Sequence, residues 1–173
     1  MVKIGLLSDT HGYIDPRWES VFRGVDEIWH AGDIGTTEVA DFLSSLKPFR
    51  AVFGNIDGQD IRKRFPEKLR FTCEKTEVII IHIGGYPAHY DRRIRNELEI
   101  RPPGMFISGH SHILKVIYDK KLGFLHINPG AAGIFGSHTQ RTVVRFMIDG
   151  TDIKNLEVVE MGPRERIVSM THG

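Results

Sequence analysis

The chain has 173 residues, which suits a single domain spanning 1–173 that buries roughly two-thirds of its unfolded surface. Its 23 Lys and Arg balance 22 Asp and Glu, so no overall field draws it to nucleic acid or a membrane, and no apolar run reaches the roughly 18 residues of a bilayer span. The single cysteine, Cys73, excludes an intramolecular disulfide and suits a reducing compartment; with no basic and apolar leader pattern, the cytoplasm is the expected location.

Along the chain, the apolar run 3–7 predicts a buried strand that leads into Asp9 and His11. Pro16 suits the first turn of a short helix carrying Trp18, Val21 and Phe22, with Asp15 as its N-cap. A strand over 27–30 leads to Asp33. A second helix is expected after Thr36 or Thr37, where Val39, Phe42, Leu43 and Leu46 recur at helical spacing and Pro48 closes the pattern. A strand over 51–53 leads to Asn55. Beyond Pro66 the pattern is mostly strand, over 69–73, 78–82, 105–108, 114–119, 123–127, 142–148 and 153–159, with one helix expected over 90–99. Lys120-Lys121 and Asp149-Gly150-Thr151 read as hairpin turns. The last few residues, His172 among them, are expected to fray.

Five polar clusters follow or end these strands: Asp9-Thr10-His11, Gly32-Asp33, Gly54-Asn55, His82 and Gly109-His110-Ser111-His112. Each alone has an ordinary explanation, since Gly-Asp and Gly-Asn are common turn dipeptides and a lone histidine can sit hydrogen-bonded in a core. Their joint order does not. In an extended segment residues i and i+2 point the same way, so the spacing aims Asp9 with His11, and His110 with His112, at one point beyond the strand ends, where open α/β sheets bind ligands. Carboxylates, imidazoles and an amide oxygen, without thiolate, favour Mn²⁺, Fe, Co²⁺, Ni²⁺ or Zn²⁺. Two such ions about 3.5–4 Å apart would hold the attacking and leaving oxygens of an in-line displacement at phosphorus. No protein nucleophile is then required: period two turns Ser111 away from its neighbours, and Cys73 has no evident activating partner.

The order Asp-x-His, Gly-Asp, Gly-Asn, His, Gly-His-x-His resembles the calcineurin-like metallophosphoesterase family, and the small size is similar to its compact prokaryotic phosphodiesterase branch. The match runs from Lys3 to about Asp149 and includes the Asn128-Pro129-Gly130 turn. The resemblance implies a four-layer α/β/β/α sandwich and a dinuclear centre with Mn²⁺ as the expected metal. It also implies that Asp33 bridges the ions, that Asp9, His11 and His112 complete one site and Asn55, His82 and His110 the other, and that a metal-bridging hydroxide attacks the phosphoester. Two departures bear on the proton donor. Ile56 stands where many members carry a histidine after Gly-Asn, and Ile83-Gly84-Gly85 replaces a Gly-His after the His82 position. Asp57 is left as a candidate catalytic acid, as an acceptor behind a ligand imidazole, or as a turn residue beside Gly58. Substrate contacts are expected from Asn55, with Arg141, His138 and Arg92 as further candidates; the arginines at 92, 93 and 95 equally suit a solvated helix face. His30, His89 and His126 have no companion spacing.

The expected function is therefore hydrolysis of a small phosphoester, most simply a phosphodiester. The alternative is a protein-binding scaffold like the retromer subunit that resembles this fold but has lost part of its ligand set. A nuclease role lacks a basic and aromatic stripe, and an apolar sheet edge leaves room for a homo-oligomer.

Overall fold

The computed structural model describes residues 1–164; the expectation for the extreme C-terminus and His172 lies outside the described residues. The first sheet begins with three parallel strands, β1 (Val2–Leu7), β2 (Glu27–His30) and β3 (Phe49–Ala51). Between them run α1 (Trp18–Val21) and α2 (Thr37–Leu46), and α3 (Gln59–Arg64) follows β3. The second sheet holds β4 (Lys68–Cys73), β5 (Thr76–Ile81), β8 (Met105–Ile107), β9 (Lys115–Asp119) and β10 (Phe124–Asn128), in the order β4-β5-β8-β10-β9. A small hairpin of β6 (Gly85–Tyr86) and β7 (His89–Tyr90), then α4 (Arg95–Ile100), lies between β5 and β8. The chain returns to the first sheet with β11 (Gln140–Asp149) and β12 (Asp152–Pro163), both antiparallel, giving the order β12-β11-β1-β2-β3.

Alternation along the strands builds the layers. Ile4, Leu6 and Trp29 of the first sheet meet Val78, Ile80, Met105, Ile107 and Ile127 of the second in one buried cluster. The opposite face of the first sheet, including Leu7, Ile28 and Val143, packs on Trp18, Phe22, Val39, Leu43 and Ile61 from the helical side. Ile79, Ile81, Phe106 and Phe124 on the outer face of the second sheet cover Ile94 and Leu98. The result is the expected α/β/β/α sandwich. Each fully buried Leu, Ile or Phe adds roughly 1.5–3 kcal/mol of transfer free energy. Among the described residues no helix is long and apolar enough to cross a membrane.

Three local expectations change. Asp15 makes the expected capping bond, its carboxylate accepting the Arg17 backbone N–H at 3.0 Å, but Pro16 and Arg17 form a turn and the helix starts only at Trp18. The expected helix over 90–99 starts only at Arg95, because Tyr90 belongs to β7 and Asp91 Oδ1 takes the Arg93 N–H at 2.9 Å in a local turn that competes with helix. The third strand of the first sheet ends at Ala51, two residues before its expected end.

A candidate metal centre at the strand ends

The loops that leave β1 and β2 continue side by side. Asp9 N–H donates to the Gly32 carbonyl, His11 N–H to Asp33 and Gly12 N–H to Ile34, at 2.9–3.0 Å. Two groups of side chains converge above them: Asp9, His11 and His112, and Asp33, His82 and His110, with the ligand-type atoms of each group within 4.8 Å of one another. Asp33 Oδ2 lies between the groups, 3.3 Å from His11 Nε2 and 3.2 Å from His82 Nε2. Asp9 Oδ1 is 3.1 Å from His112 Nε2, and Asn55 Oδ1 is 3.0 Å from His110 Nδ1. All seven sequence-expected ligand residues are thus in one place.

Their backbone is not extended, so period-two alternation along a strand is not what brings them together. Asp9, His11, Asp33, His110 and His112 have φ of 55°, 47°, 55°, 70° and 62°, in the left-handed region that Asp and His enter more readily than most residues. The side chains converge through strained turns, each costing on the order of 1–3 kcal/mol. Ser111 instead accepts the Ile113 N–H and an Asn128 Nδ2 hydrogen bond.

Hydrogen bonds fix the free atoms. His82 Nδ1 lies 2.7 Å from the Ala31 carbonyl, which can only accept, so Nδ1 carries the hydrogen and Nε2 keeps a lone pair for the centre. Ser8 Oγ donates to Asp9 Oδ2 at 2.6 Å, and Ile56 N–H to Asp33 Oδ1 at 3.1 Å. Asp9 Oδ1, His11 Nε2 and His82 Nε2 are buried without a hydrogen-bond partner. Unpaired polar atoms facing one another in a buried site are costly unless something joins them, and this donor set fits divalent metal ions.

The electrostatics point the same way. Burial alone would raise the Asp9 and Asp33 carboxyls, but the facing imidazoles of His11 and of His112 or His82 outweigh it, and both fall well below the usual range. In return Asp33 and Asp9 push His11 up to about 9. His110 moves the other way, lowered first by burial and then by repulsion from His82. The centre attracts positive charge.

Asp57 does not stand as a catalytic acid. It is buried, and its carboxylate accepts three backbone N–H groups, from Ile34 at 3.1 Å and Gly35 and Gly54 at 2.8 Å. It clamps the Asp33 loop to the Asn55 loop. Arg141 is not a substrate contact either: its buried guanidinium binds Asp15 Oδ2 at 2.9 Å and the carbonyls of Met161 and Pro163. Arg92 is exposed in the turn ahead of α4, outside the helix, and makes no hydrogen bond or ion pair among the described residues. His138 does reach the centre, its ring edge-on to His112 at 5.3 Å, with Nε2 on the Gly133 carbonyl.

Sequence reasoning passed over two supporting groups. His30 is fully buried; its Nδ1 accepts the Gly32 N–H at 3.1 Å and its Nε2 lies 3.0 Å from Thr10 Oγ1, tying both ligand loops. Burial holds it neutral, down at about 3. Arg62 of α3 donates to the Asp57 carbonyl at 2.6 Å while stacked on Phe53, bracing the Asn55 loop. Neither has a spacing that marks it, since their partners are tertiary.

Comparison with known proteins agrees with this geometry. Residues 2–151 match the model of the calcineurin-like phosphoesterase superfamily domain. A Methanothermobacter thermautotrophicus protein named probable metallophosphoesterase is 30% identical over 167 residues, covering 92% of each chain. One of the same name from Mycoplasma pneumoniae is 32% identical over 142 residues, 78% of this chain and 81% of its own. Among solved structures, Chaetomium thermophilum Vps29 aligns with TM-score 0.73 at 13% identity, over 95% of this chain and 100% of its own. A novel archaeal phosphodiesterase aligns with TM-score 0.67 at 20% identity, over 92% and 99%. At those identities the structural likeness speaks for the fold.

Proposed function

The chain belongs to the calcineurin-like phosphoesterase superfamily, and from that premise we propose that it is a dinuclear, metal-dependent phosphodiesterase acting on small phosphodiesters in the cytoplasm. The observation that carries the reading is the position of Asp33 Oδ2 between two groups of ligand-type side chains, with Asp9 Oδ1, His11 Nε2 and His82 Nε2 unpaired. In this reading Asp33 would serve both ions, Asp9, His11 and His112 would hold one, and Asn55, His82 and His110 would hold the other. The thiolate-free donor set suits Mn²⁺, Ni²⁺, Zn²⁺, Fe or Co²⁺, and Mn²⁺ is the metal the family resemblance implies. Divalent ions in such a pair supply charge neutralisation at the phosphoryl group and water activated near neutral pH.

The residues of the chain set the rest. Asp9 and Asp33 offset only part of the charge of two divalent ions, leaving a positive surplus matched to a diester monoanion. Asn55, being neutral, adds a ligand without reducing that surplus. Arg141 is committed to Asp15 and so brings no charge to a monoester dianion, and Ile56 beside Asn55 cannot protonate a poor leaving group. Bis(4-nitrophenyl) phosphate should therefore be cleaved with higher kcat/KM than 4-nitrophenyl phosphate under Mn²⁺, with both activities lost in chelator. A clear monoester preference would sink the phosphodiesterase assignment, and activity indifferent to chelation would sink the metal mechanism.

The Vps29 likeness keeps a protein-binding scaffold as the second reading. The complete ligand set favours catalysis, and the same chelation assay separates the two.

A further inference from the structure

A recess of about 220 Å³ opens beside His110, on the outer side of the second sheet and against the β6–β7 hairpin. His126 and Asn128 of β10 lie along it, as do Tyr86 and His89 of the hairpin and Lys115 of β9. Its smallness decides what it can take: drug-sized ligand sites run to roughly 300–1,000 Å³, so this one admits a single ring system.

One polar atom in its lining lacks a partner. His126 has no exposed surface, and its ring stacks on Phe106 with centroids 5.3 Å apart. Its Nδ1 is 3.1 Å from the Phe106 carbonyl, which only accepts, so Nδ1 carries the hydrogen and Nε2 is a bare acceptor. Nε2 has no hydrogen-bond partner, and burial holds the imidazole down at about 4, hence neutral. Asn128 beside it is fully used: Nδ2 donates to the Gly109 carbonyl and Ser111 Oγ, and Oδ1 accepts the Gly130 N–H. The missing group is therefore a donor.

The hairpin supplies two aromatic rings, inclined to one another by 50°. Tyr86 and His89 rings lie 5.0 Å apart, and Lys115 Nζ sits 4.0 Å over the Tyr86 ring. The hairpin is tied down by Ser108 Oγ, which donates to the Gly85 carbonyl at 3.1 Å, and by the Asp91 N–H, which donates to Gly84 at 3.0 Å. Aromatic faces of this kind hold bases by stacking whatever their sequence. A planar heterocycle with an amino donor answers both features, as adenine, cytosine and guanine do.

We propose that this recess is a base-binding subsite: it receives the amino-bearing nucleobase of one ester arm of a small phosphodiester, the amino group donating to His126 Nε2 and the ring lying against Tyr86 of the hairpin. Its place next to the reacting phosphorus rests on the phosphodiesterase reading, through His110, which borders both the recess and the metal centre.

The test is binding of adenosine and of purine riboside, which lacks the amino group, to the full chain, followed by calorimetry and by ¹⁵N resonances of its histidines. Adenosine should bind saturably, shift the His126 Nε2 resonance, and bind roughly tenfold tighter than purine riboside. The preference should vanish in His126→Phe, and Tyr86→Ala, on the exposed hairpin, should weaken both nucleosides about tenfold while keeping it. Should His126→Phe fail to fold, the two nucleosides on the unaltered protein and Tyr86→Ala decide the matter. No saturable adenosine binding, equal affinities, or an unmoved His126 resonance overturns the subsite. Bis(4-nitrophenyl) phosphate is assayed alongside. A protein that binds adenosine with this preference but leaves the diester intact keeps the subsite and loses the phosphodiesterase reading; one that cleaves the diester and ignores adenosine loses the subsite alone.

Discussion

Replacing Asp57 by Asn tests whether this carboxylate acts on protons or on the backbone. Oδ2 accepts Ile34 at 3.1 Å and Gly54 at 2.8 Å, and Oδ1 accepts Gly35 at 2.8 Å, in a residue only 3% exposed. An Asn can set its oxygen at the Oδ2 position and keep two of these bonds, but as neutral ones, each worth roughly 1 kcal/mol against about 1.5–3 for a bond to a charged acceptor. Its NH₂ then faces the Gly35 N–H, leaving buried donors unpaired at about 1–3 kcal/mol. The sum is on the order of 3 kcal/mol, a large share of a typical 5–15 kcal/mol stability. Urea unfolding should show a lower midpoint with unchanged slope. Activity should fall because the Asp33 and Asn55 loops separate, higher Mn²⁺ should restore part of it, and the pH–rate profile should keep both limbs. A variant of wild-type stability whose profile loses one limb would refute the clamp and return Asp57 to the proton-transfer role.

At saturating Mn²⁺, Asp33→Ala should reduce kcat/KM more than Asn55→Ala, since a bridging carboxylate would serve both ions; equal or reversed losses count against bridging. Asp15→Ala leaves the buried Arg141 cation without its carboxylate and should destabilise the fold by about 3–5 kcal/mol in urea, while a loss under 1 kcal/mol would contradict the buried pair. Burial would raise the Asp15 carboxyl, but the hydrogen bonds from Arg17 and Arg141 outweigh it and hold it at about 2; its contribution is complete above the unfolded value of roughly 3.9 and disappears as pH falls through about 2, so Asp15→Asn should flatten that part of the acid-unfolding curve. A Cβ at Gly54 would meet Asp33 Oδ1 at 2.1 Å and Asp33 N at 2.4 Å, a clash with backbone that no rotamer relieves. Gly54→Ala should cut activity more than about tenfold with far-UV circular dichroism unchanged, and full activity would show that the loops are free to part.

The central strands were legible because their runs are apolar on both sides: Val78 and Ile80 face one cluster while Ile79 and Ile81 face another, so a continuous hydrophobic segment is what the sandwich demands. The convergence of the candidate ligand residues was legible by chemistry, although the geometry that joins them is left-handed turn, which residue spacing does not encode. Tyr90 misled the helix assignment because it stands at helical spacing from Ile94 and Leu98. Its ring packs between Phe106 and Phe124 and its hydroxyl donates to Asp119 Oδ2 at 2.6 Å, contacts made from a strand. Among the residues of α3 only Ile61 is buried, too little to leave a period. Arg141 shows the wider limit: its partner Asp15 lies 126 positions away, and nothing local separates a guanidinium meant for phosphate from one meant for a buried carboxylate.

The glycines of the ligand clusters have a further meaning. A Cβ at Gly32, which precedes Asp33, would lie 2.6 Å from His82 Nδ1, as one at Gly54 would strike Asp33. Each loop therefore leaves room for the ligand of another loop, and removing that room moves a neighbour's side chain rather than its own. Left-handed conformations at Asp9, His11, Asp33, His110 and His112 persist because the surroundings over-determine them, with His30 joining Thr10 to Gly32 and Asp57 joining Asp33's loop to Gly54. A surface that only docked a partner would gain nothing from strain at these inward residues. A centre that must present several ligand atoms to cations gains preorganisation: the conformational free energy is supplied by folding and is not drawn from metal binding. The clamps behind the ligands are thus as much a part of the site as the ligands, and their loss should register as weakened metal affinity before any loss of chemistry.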